Sequence, residues 1–266
     1  MRTVRFTTGG IARHGVIDNN CVNTLVGPPW DGMEYAGDSY DLTEIRLLAP
    51  VQPPDVFAIG LNYKTHADET GSKYPPAPVI FIKAAASVVG PGDDIILPAM
   101  APSEVDYEAE LVMVIGKTCR NVSEDDALDY VFGYTCGNDI TARDCQFKHD
   151  TQWARAKSFE TFCPLGPWIE TDLASDDVQV CTRLNENIMQ QSATAAMIFS
   201  CRQLVSYLSR MVTLRPGTVI MTGTPSGVGY TRTPPVFLKP GDRVEVEIEG
   251  IGVLANRVVA EASESG

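Results

Sequence analysis

The sequence predicts an α+β fold rich in β-strands. From about residue 51 onward, short apolar or alternating runs dominate: "DVFAIGL", "PVIFIKA", "ELVMVIG", "YVFGYTCGND", "DVQVCTRL", "GTVIMTG" and "DRVEVEIEGIGVLANRVV". These runs do not alternate regularly with helical patterns, which argues against a doubly wound parallel sheet. Three of the strands are introduced by Pro-Gly turns, at 91–92, 216–217 and 240–241, as tight connections into strands require.

Taken in order, residues 1–50 hold the short alternating stretches "TVRFTT", "ARHGVI" and "EIRLLAP", interrupted by "GPPWDG". The proline-rich "PVQPPD" then makes a joint, so a small N-terminal β-rich segment (1–50) and a main domain (51–266) are expected. Helices are few. The clearest is "SCRQLVSYLSRMV", where Ser200 and Gln203 form a capping box and Leu204, Leu208 and Met211 form one apolar stripe. "SEDDALDYV" reads as another, capped by Ser123, and a short polar helix is expected after "GND" at 137–139.

Composition narrows the function. A net charge of −13 on 266 residues argues against nucleic acid and anionic membrane as partners, since both are bound by clustered Lys and Arg. A hydrophobic content of 44% with 21% charged residues is that of a globular chain. The seven scattered cysteines contain no CxxC pair, which is reduced, intracellular usage. The opening "MRTVRFTTGG" lacks the apolar core of a secretory signal, so a cytoplasmic protein is expected, or a mitochondrial matrix protein if a presequence has been removed.

Chemistry concentrates in "SEVDYEAELVMVIG" (103–116), which places Asp106, Glu108 and Glu110 at every second position, hence on one face of a strand. Such alternation also marks a solvated strand end, but the apolar run that follows puts these acids at the mouth of a core. Asp139 ends a neighbouring strand, where it could act as a helix cap or as a third oxygen donor. Two glutamates and one aspartate suit a hard cation such as Mg²⁺, Mn²⁺ or Ca²⁺, whereas no histidine has zinc-like spacing to them. In "GLNYKTHADE", His66 and Glu69 lie three apart, the spacing of a surface ion pair or of an imidazole base oriented by a carboxylate. The Gly- and Pro-rich "TGSKYPPAP" that follows reads as a mobile loop that could carry this dyad as a lid. "GTPSGVG" lacks the Lys-Ser/Thr ending of a phosphate loop, and its glycines are suited to bringing backbone amides close to a carboxylate. His149 in "FKHDTQW" reads as a surface loop residue.

"GLNYKTHADE", "PVIFIKAAASVVGP", "VDYEAELVMVIG", "GYTCGNDITARDCQ", "AKSFETFCPLGPWI" and "VIMTGTPSGVG", in that order, resemble the fumarylacetoacetate hydrolase superfamily over roughly residues 54–259. The resemblance implies a barrel-like roll of mixed sheet, of the fumarylacetoacetase C-terminal type, and a homodimer with one Mg²⁺ or Mn²⁺ per subunit. It implies Glu108, Glu110 and Asp139 as metal ligands, His66 and Glu69 as the lid dyad, and Lys157 as the active-site lysine. Arg143 and Gln146 fall where substrate is steered, and Thr224 where its carboxylate is met. Lys157 could instead simply pair with an acid, although an ammonium near the metal would stabilise an enolate. Asp106 falls outside the ligand set, as a supporting or solvated acid. Asn62 stands near where the tyrosine-catabolic enzymes place a further acidic ligand, and Glu160 where aspartate is commoner.

The implied function is a divalent-metal enzyme acting on a small 2-oxo acid or 1,3-dicarbonyl through an enolate. It would cleave a carbon-carbon bond as an acylpyruvate-type hydrolase or an oxaloacetate decarboxylase. "AKSFETFCPLGPWI" and "TPPVFLKPGDRVEVEIEGIG" are most similar to proteins linked to oxaloacetate keto-enol tautomerisation, which is the alternative; a noncatalytic metal- or ligand-binding protein is the alternative from another class.

Overall fold

The computed structural model describes residues 1–262, so the last four residues of the expected main domain lie outside the described residues. The N-terminal segment is a meander. β1 (Arg2–Thr8), β2 (Ile11–Asp18), β3 (Cys21–Leu25) and β4 (Tyr35–Asp41) pair antiparallel in sequence. Its first connection is Gly9-Gly10 at φ 56° and 79°, a two-residue turn whose left-handed backbone matches strand twist. β5 (Arg46–Leu48) pairs with the second half of β1.

The main sheet is built from β6 (Val56–Gly60), β7 (Val79–Lys83), β11 (Ala109–Ile115), β12 (Val131–Asn138), β14 (Cys163–Glu170) and β17 (Val219–Met221). β1 pairs with β14, so the meander extends this sheet in the order β4-β3-β2-β1-β14-β12-β11-β17-β6-β7. β17 and β6 are parallel and the other neighbours on this path antiparallel. The sheet is therefore mixed and open: among the described residues it rolls without closing into a barrel.

β11 occupies the middle because all seven of its residues are buried. Leu111, Met113 and Ile115 point into one cluster with Leu204, Val205 and Leu208, while Val112 and Val114 join Val56, Ala58, Val219 and Met221 on the opposite face. A strand covered on both faces must be apolar throughout, as "LVMVI" is.

A second sheet has the order β16-β15-β18-β19-β9, from β9 (Asp94–Leu97), β15 (Gln179–Leu184), β16 (Asn187–Ala193), β18 (Arg243–Ile248) and β19 (Gly252–Ala260). Two short pairings complete the strands: β8 (Val88–Val89) lies parallel to β14, and β10 (Val105–Asp106) antiparallel to β13 (Thr141–Ala142).

Three α-helices are present among the described residues: α1 (Lys64–Glu69), α2 (Ala154–Lys157) and α3 (Cys201–Met211). α3 starts with the expected capping box, Gln203 N–H donating to Ser200 Oγ and Ser200 N–H to Gln203 Oε1 at 3.0 Å. Leu204 and Leu208 are fully buried, each stabilising the fold by on the order of 1.5–3 kcal/mol. Met211 departs from the expected stripe: it is 47% exposed because the helix ends there, beyond the edge of the core, and Val205 fills the buried face instead. The helix expected from Ser123 is only a turn leading into a 3-10 segment, Ala127–Tyr130. Ser123 Oγ accepts from Asp126 N–H, and only Ala127 of the segment is buried, so no apolar stripe docks a longer helix. The polar helix expected after 139 is a single π turn, Cys145–His149, with His149 exposed. No described helix is long and apolar enough to cross a membrane.

Candidate active site

Strand register assembles the acidic centre. Ala109 of β11 lies opposite Asn138 of β12, so Glu108 and Asp139 emerge side by side just past the paired segment. Asp139 N–H donates to Glu108 O, and Glu108 N–H to Asn138 Oδ1, both at 2.9 Å. Glu110 lies two residues along on the same face. One carboxylate oxygen from each of Glu108, Glu110 and Asp139 falls within 4.8 Å of the others, and all three residues are buried.

Cations surround this group. Lys157 Nζ, at the end of α2, is 2.7 Å from Glu108 Oε2 and 2.6 Å from Asp139 Oδ2. Arg143 donates from Nη2 to Glu108 Oε1 at 2.5 Å, from Nε to Asp106 Oδ1 at 2.7 Å and from Nη1 to Gln146 Oε1 at 2.8 Å. Its guanidinium lies 4.3 Å from the Tyr230 ring centre. Asp106 also accepts from Tyr230 N–H at 2.9 Å and is fully buried. The solvated form of Asp106 is thus ruled out: it is an interior acid that braces Arg143.

Lys83 is a participant that sequence reasoning missed. It ends β7, where Phe81 and Lys83 point inward while Ile82 is 58% exposed. Its ammonium donates to Asp139 Oδ1 at 2.5 Å, to Ile140 O at 3.4 Å and to Lys157 O. The signal was available: in "VIFIK" the lysine shares its strand face with Phe81, and a lysine on a core-facing position needs a buried acid.

The dyad sits on α1, a short helix just after β6. His66 Nδ1 is 2.7 Å from Glu69 Oε1. Glu69 Oε2 accepts from Gly227 N–H at 3.0 Å and Thr231 Oγ1 at 3.1 Å, which ties α1 to the loop after β17. In the same loop, Gly223 N–H donates to Glu110 Oε2 at 2.6 Å. Gly223 has φ 97°, and a Cβ there would lie 2.7 Å from Asn62 Cβ, so only glycine brings this amide to the carboxylate. The glycine-rich loop therefore offers amides to the protein's own carboxylates, Glu110 and Glu69. Asn62, buried, spends its amide on Phe199 and Thr222 backbone groups, which gives it a structural task.

A cavity of about 140 Å³ joins these parts. His66, Glu108, Glu110, Asp139, Arg143, Gln146, Lys157 and Thr224 all line it, with Glu69 standing behind His66. Thr224 Oγ1 accepts from Gln190 Nε2 at 2.7 Å. Ile59, Leu61, Phe81, Phe147, Trp153 and Tyr230 supply the apolar walls, and Thr70 and Ser72 border it from the loop after α1.

Electrostatics distinguish the acids. Burial alone would raise the Glu108 carboxyl, but the Lys157 and Arg143 cations outweigh it and hold it below the usual carboxylate range. Burial pushes Asp106 up to about 6 against the opposing pull of Arg143. Glu110 is pushed well up by burial and then by Asp139 and Glu108 beside it. Lys157 is raised, its burial more than offset by Asp139 and Glu108. Four carboxyl groups (Asp106, Glu108, Glu110, Asp139) face three cations (Lys83, Arg143, Lys157), which pair with Asp106, Glu108 and Asp139 and leave Glu110 without a cation of its own among the described residues. Glu110 accepts from the Gly223 amide, and its raised carboxyl favours the protonated form until a cation is close by. An all-oxygen cluster short of positive charge fits a hard divalent cation.

Residues 55–259 match the fumarylacetoacetate (FAA) hydrolase C-terminal family, and residues 1–50 an Rv2993c-like N-terminal family. The chain belongs to the fumarylacetoacetate hydrolase family. It is 45% identical over 221 residues to the oxaloacetate tautomerase Fahd2a, mitochondrial, of Rattus norvegicus, an alignment covering 82% of this chain and 70% of that one. The crystal structure of a 5-carboxymethyl-2-hydroxymuconate delta-isomerase from Mycobacterium smegmatis superposes with a TM-score of 0.89 at 40% identity, covering 98% of this chain and all (100%) of that one. A fumarylacetoacetate hydrolase from Exiguobacterium antarcticum gives 0.88 at 38% identity, with coverage of 98% and 100%. The fold of this family member is thus the strand-rich, open roll described above.

Proposed function

We propose that the protein interconverts the keto and enol forms of a small 2-oxo diacid of the oxaloacetate type, with Mg²⁺ or Mn²⁺ held by Glu108, Glu110 and Asp139. The observation that carries this reading is the His66–Glu69 pair beside a cavity rich in buried charge, in a chain closely similar to an oxaloacetate tautomerase.

A divalent ion bound there supplies Lewis acidity toward the 2-oxo oxygen and the adjacent carboxylate. The remaining work belongs to side chains. Glu69 accepts from Nδ1–H and so leaves His66 Nε2 as the basic nitrogen. Nε2 takes the proton from C3, a contribution of about 10²–10⁴-fold. Lys157 would place positive charge beside the C2 oxygen as it becomes anionic, and the proton held on His66 Nε2, passed to that oxygen, completes the enol and returns the imidazole to its neutral form. No carbon-carbon bond breaks. Thr224 and Gln146 are placed to orient the carboxylates of the substrate. The cavity, about 140 Å³, is small beside the ~300–1,000 Å³ of pockets for drug-sized ligands, and so favours a short diacid.

Carbon-carbon cleavage of an acylpyruvate is a second reading, favoured by likeness to the Exiguobacterium hydrolase. There the same imidazole would activate water against the distal carbonyl. A homodimer in the cytosol or the mitochondrial matrix accompanies either activity.

The test is to strip the protein with EDTA and supply oxaloacetate or an acylpyruvate with and without Mg²⁺ or Mn²⁺, following the ultraviolet enol band and pyruvate together. Metal-dependent enol decay without pyruvate is expected. Pyruvate formation from the acylpyruvate would establish the hydrolase instead, and pyruvate from oxaloacetate a decarboxylase.

A further inference from the structure

Both oxygens of Glu108 and both oxygens of Asp139 already carry a cationic donor. Glu108 Oε1 receives Arg143 and Oε2 receives Lys157; Asp139 Oδ1 receives Lys83 and Oδ2 receives Lys157. The three cations are not equivalent. Arg143 is anchored independently by Asp106, Gln146 and the Tyr230 ring. Lys83 is anchored independently by the Ile140 and Lys157 carbonyls. Among the described residues, the Lys157 ammonium has only the two carboxylates as hydrogen-bond acceptors, with the Phe81 ring 5.1 Å away. Arg143 and Lys83 grip the pair from outside, whereas Lys157 bridges it.

Mg²⁺ held by the same two acids would have its oxygen ligands at about 2.0–2.1 Å. An ammonium at 2.6–2.7 Å from the bridging oxygens occupies the same electrostatic position. An ion held by Glu108 and Asp139 would bring its positive charge against the Lys157 ammonium, which already contacts an oxygen of each.

We infer that Lys157 is a displaceable counter-ion of the metal site. Its ammonium holds Glu108 and Asp139 together in the metal-free protein and gives up at least one of them when a divalent ion binds. The freed ammonium then turns into the cavity it lines, where it meets substrate. This rests on the ligand set proposed above.

The experiment is calorimetric titration of Mn²⁺ into the EDTA-treated wild type, Lys157→Met and Lys83→Met, with melting temperatures recorded in EDTA and in Mn²⁺. Lys157→Met should bind Mn²⁺ at least about tenfold more tightly than wild type, equivalent to about 1.4 kcal/mol. It should melt lower in EDTA and recover most of the loss in Mn²⁺. Lys83→Met removes the same charge from the same acid but leaves the bridge, so its gain in affinity should be smaller. Equal gains in both variants, or Mn²⁺ affinity in Lys157→Met no tighter than wild type, would overturn the inference alone. Wild type that binds no Mn²⁺ would overturn the ligand assignment and the inference with it. Wild-type crystals grown with Mn²⁺ provide the measurement that needs no variant: Lys157 Nζ should lie beyond hydrogen-bond reach of Glu108 or Asp139, and an intact bridge would refute displacement.

Discussion

Replacing Lys83 by Met tests whether the acidic centre depends on a cation that touches no solvent. Lys83 is fully buried, and its ammonium holds Asp139 Oδ1 at 2.5 Å while satisfying two backbone carbonyls. Methionine keeps most of the stem but strips away the ammonium that faces Asp139. Removing one partner of a buried ion pair costs roughly 3–5 kcal/mol, because the other charge stays buried without compensation. Each kcal/mol lowers the melting temperature of a domain of this size by about 2–4 °C, so a fall of roughly 6–20 °C is expected in EDTA. Saturating Mn²⁺ should recover part of it, as the ion restores positive charge at Asp139. The assay is differential scanning calorimetry in EDTA and in Mn²⁺, with urea midpoints as a check on cooperativity. A loss in EDTA of under about 1 kcal/mol, the scale of an exposed pair, would refute the account of Lys83 as an interior strut.

Three further outcomes are expected. Glu108→Ala with Glu110→Ala should abolish Mn²⁺ binding by calorimetry; tight binding by the double variant would disprove the ligand set. His66→Ala should bind Mn²⁺ as wild type while turnover falls by about 10²–10⁴-fold, and an unchanged rate would remove the imidazole from the chemistry. His14, half-buried against Trp30 with an Nδ1 that has no hydrogen-bond partner among the described residues, is lowered to about 4 by burial and then by Arg5. Its neutral form is the one the fold accommodates. Its stabilising contribution is thus fully present above the ordinary histidine value of about 6.5 and is lost as pH falls from there toward 4. The melting temperature of His14→Phe should drop less between about pH 7.5 and about pH 4.5 than that of wild type, and equal drops would show that His14 does not titrate with unfolding.

How much of this was legible in the sequence depends on the range of each signal. The spacing of Glu108 and Glu110 and the apolar run after them are local, and they placed two acids at the mouth of a core. The capping box at Ser200 and Gln203 is equally local. Lys83 was missed because the alternation that puts it on the buried face with Phe81 does not say which acid it meets; that is Asp139, 56 residues away. The solvated form of Asp106 stayed open for the same reason, since only the fold shows that Arg143, 37 residues on, pairs with it. The joining of the N-terminal meander to the main sheet depends on Arg2 facing Glu170, a pairing that no local pattern encodes. The segment after Ser123 failed as a helix because capping chemistry was present without an apolar face to dock it.

Glu69 divides its two oxygens between different tasks. One orients the imidazole, and the other holds the Gly227 amide and the Thr231 hydroxyl. The orientation of the imidazole is therefore tied, through one carboxylate, to the seating of the loop after β17. Thr231 is not among the proposed metal ligands, yet through Glu69 it should influence the rate of proton transfer more than the binding of the ion. If the proposed proton transfer runs through His66, its rate is tied to the seating of a loop that carries none of the proposed metal ligands.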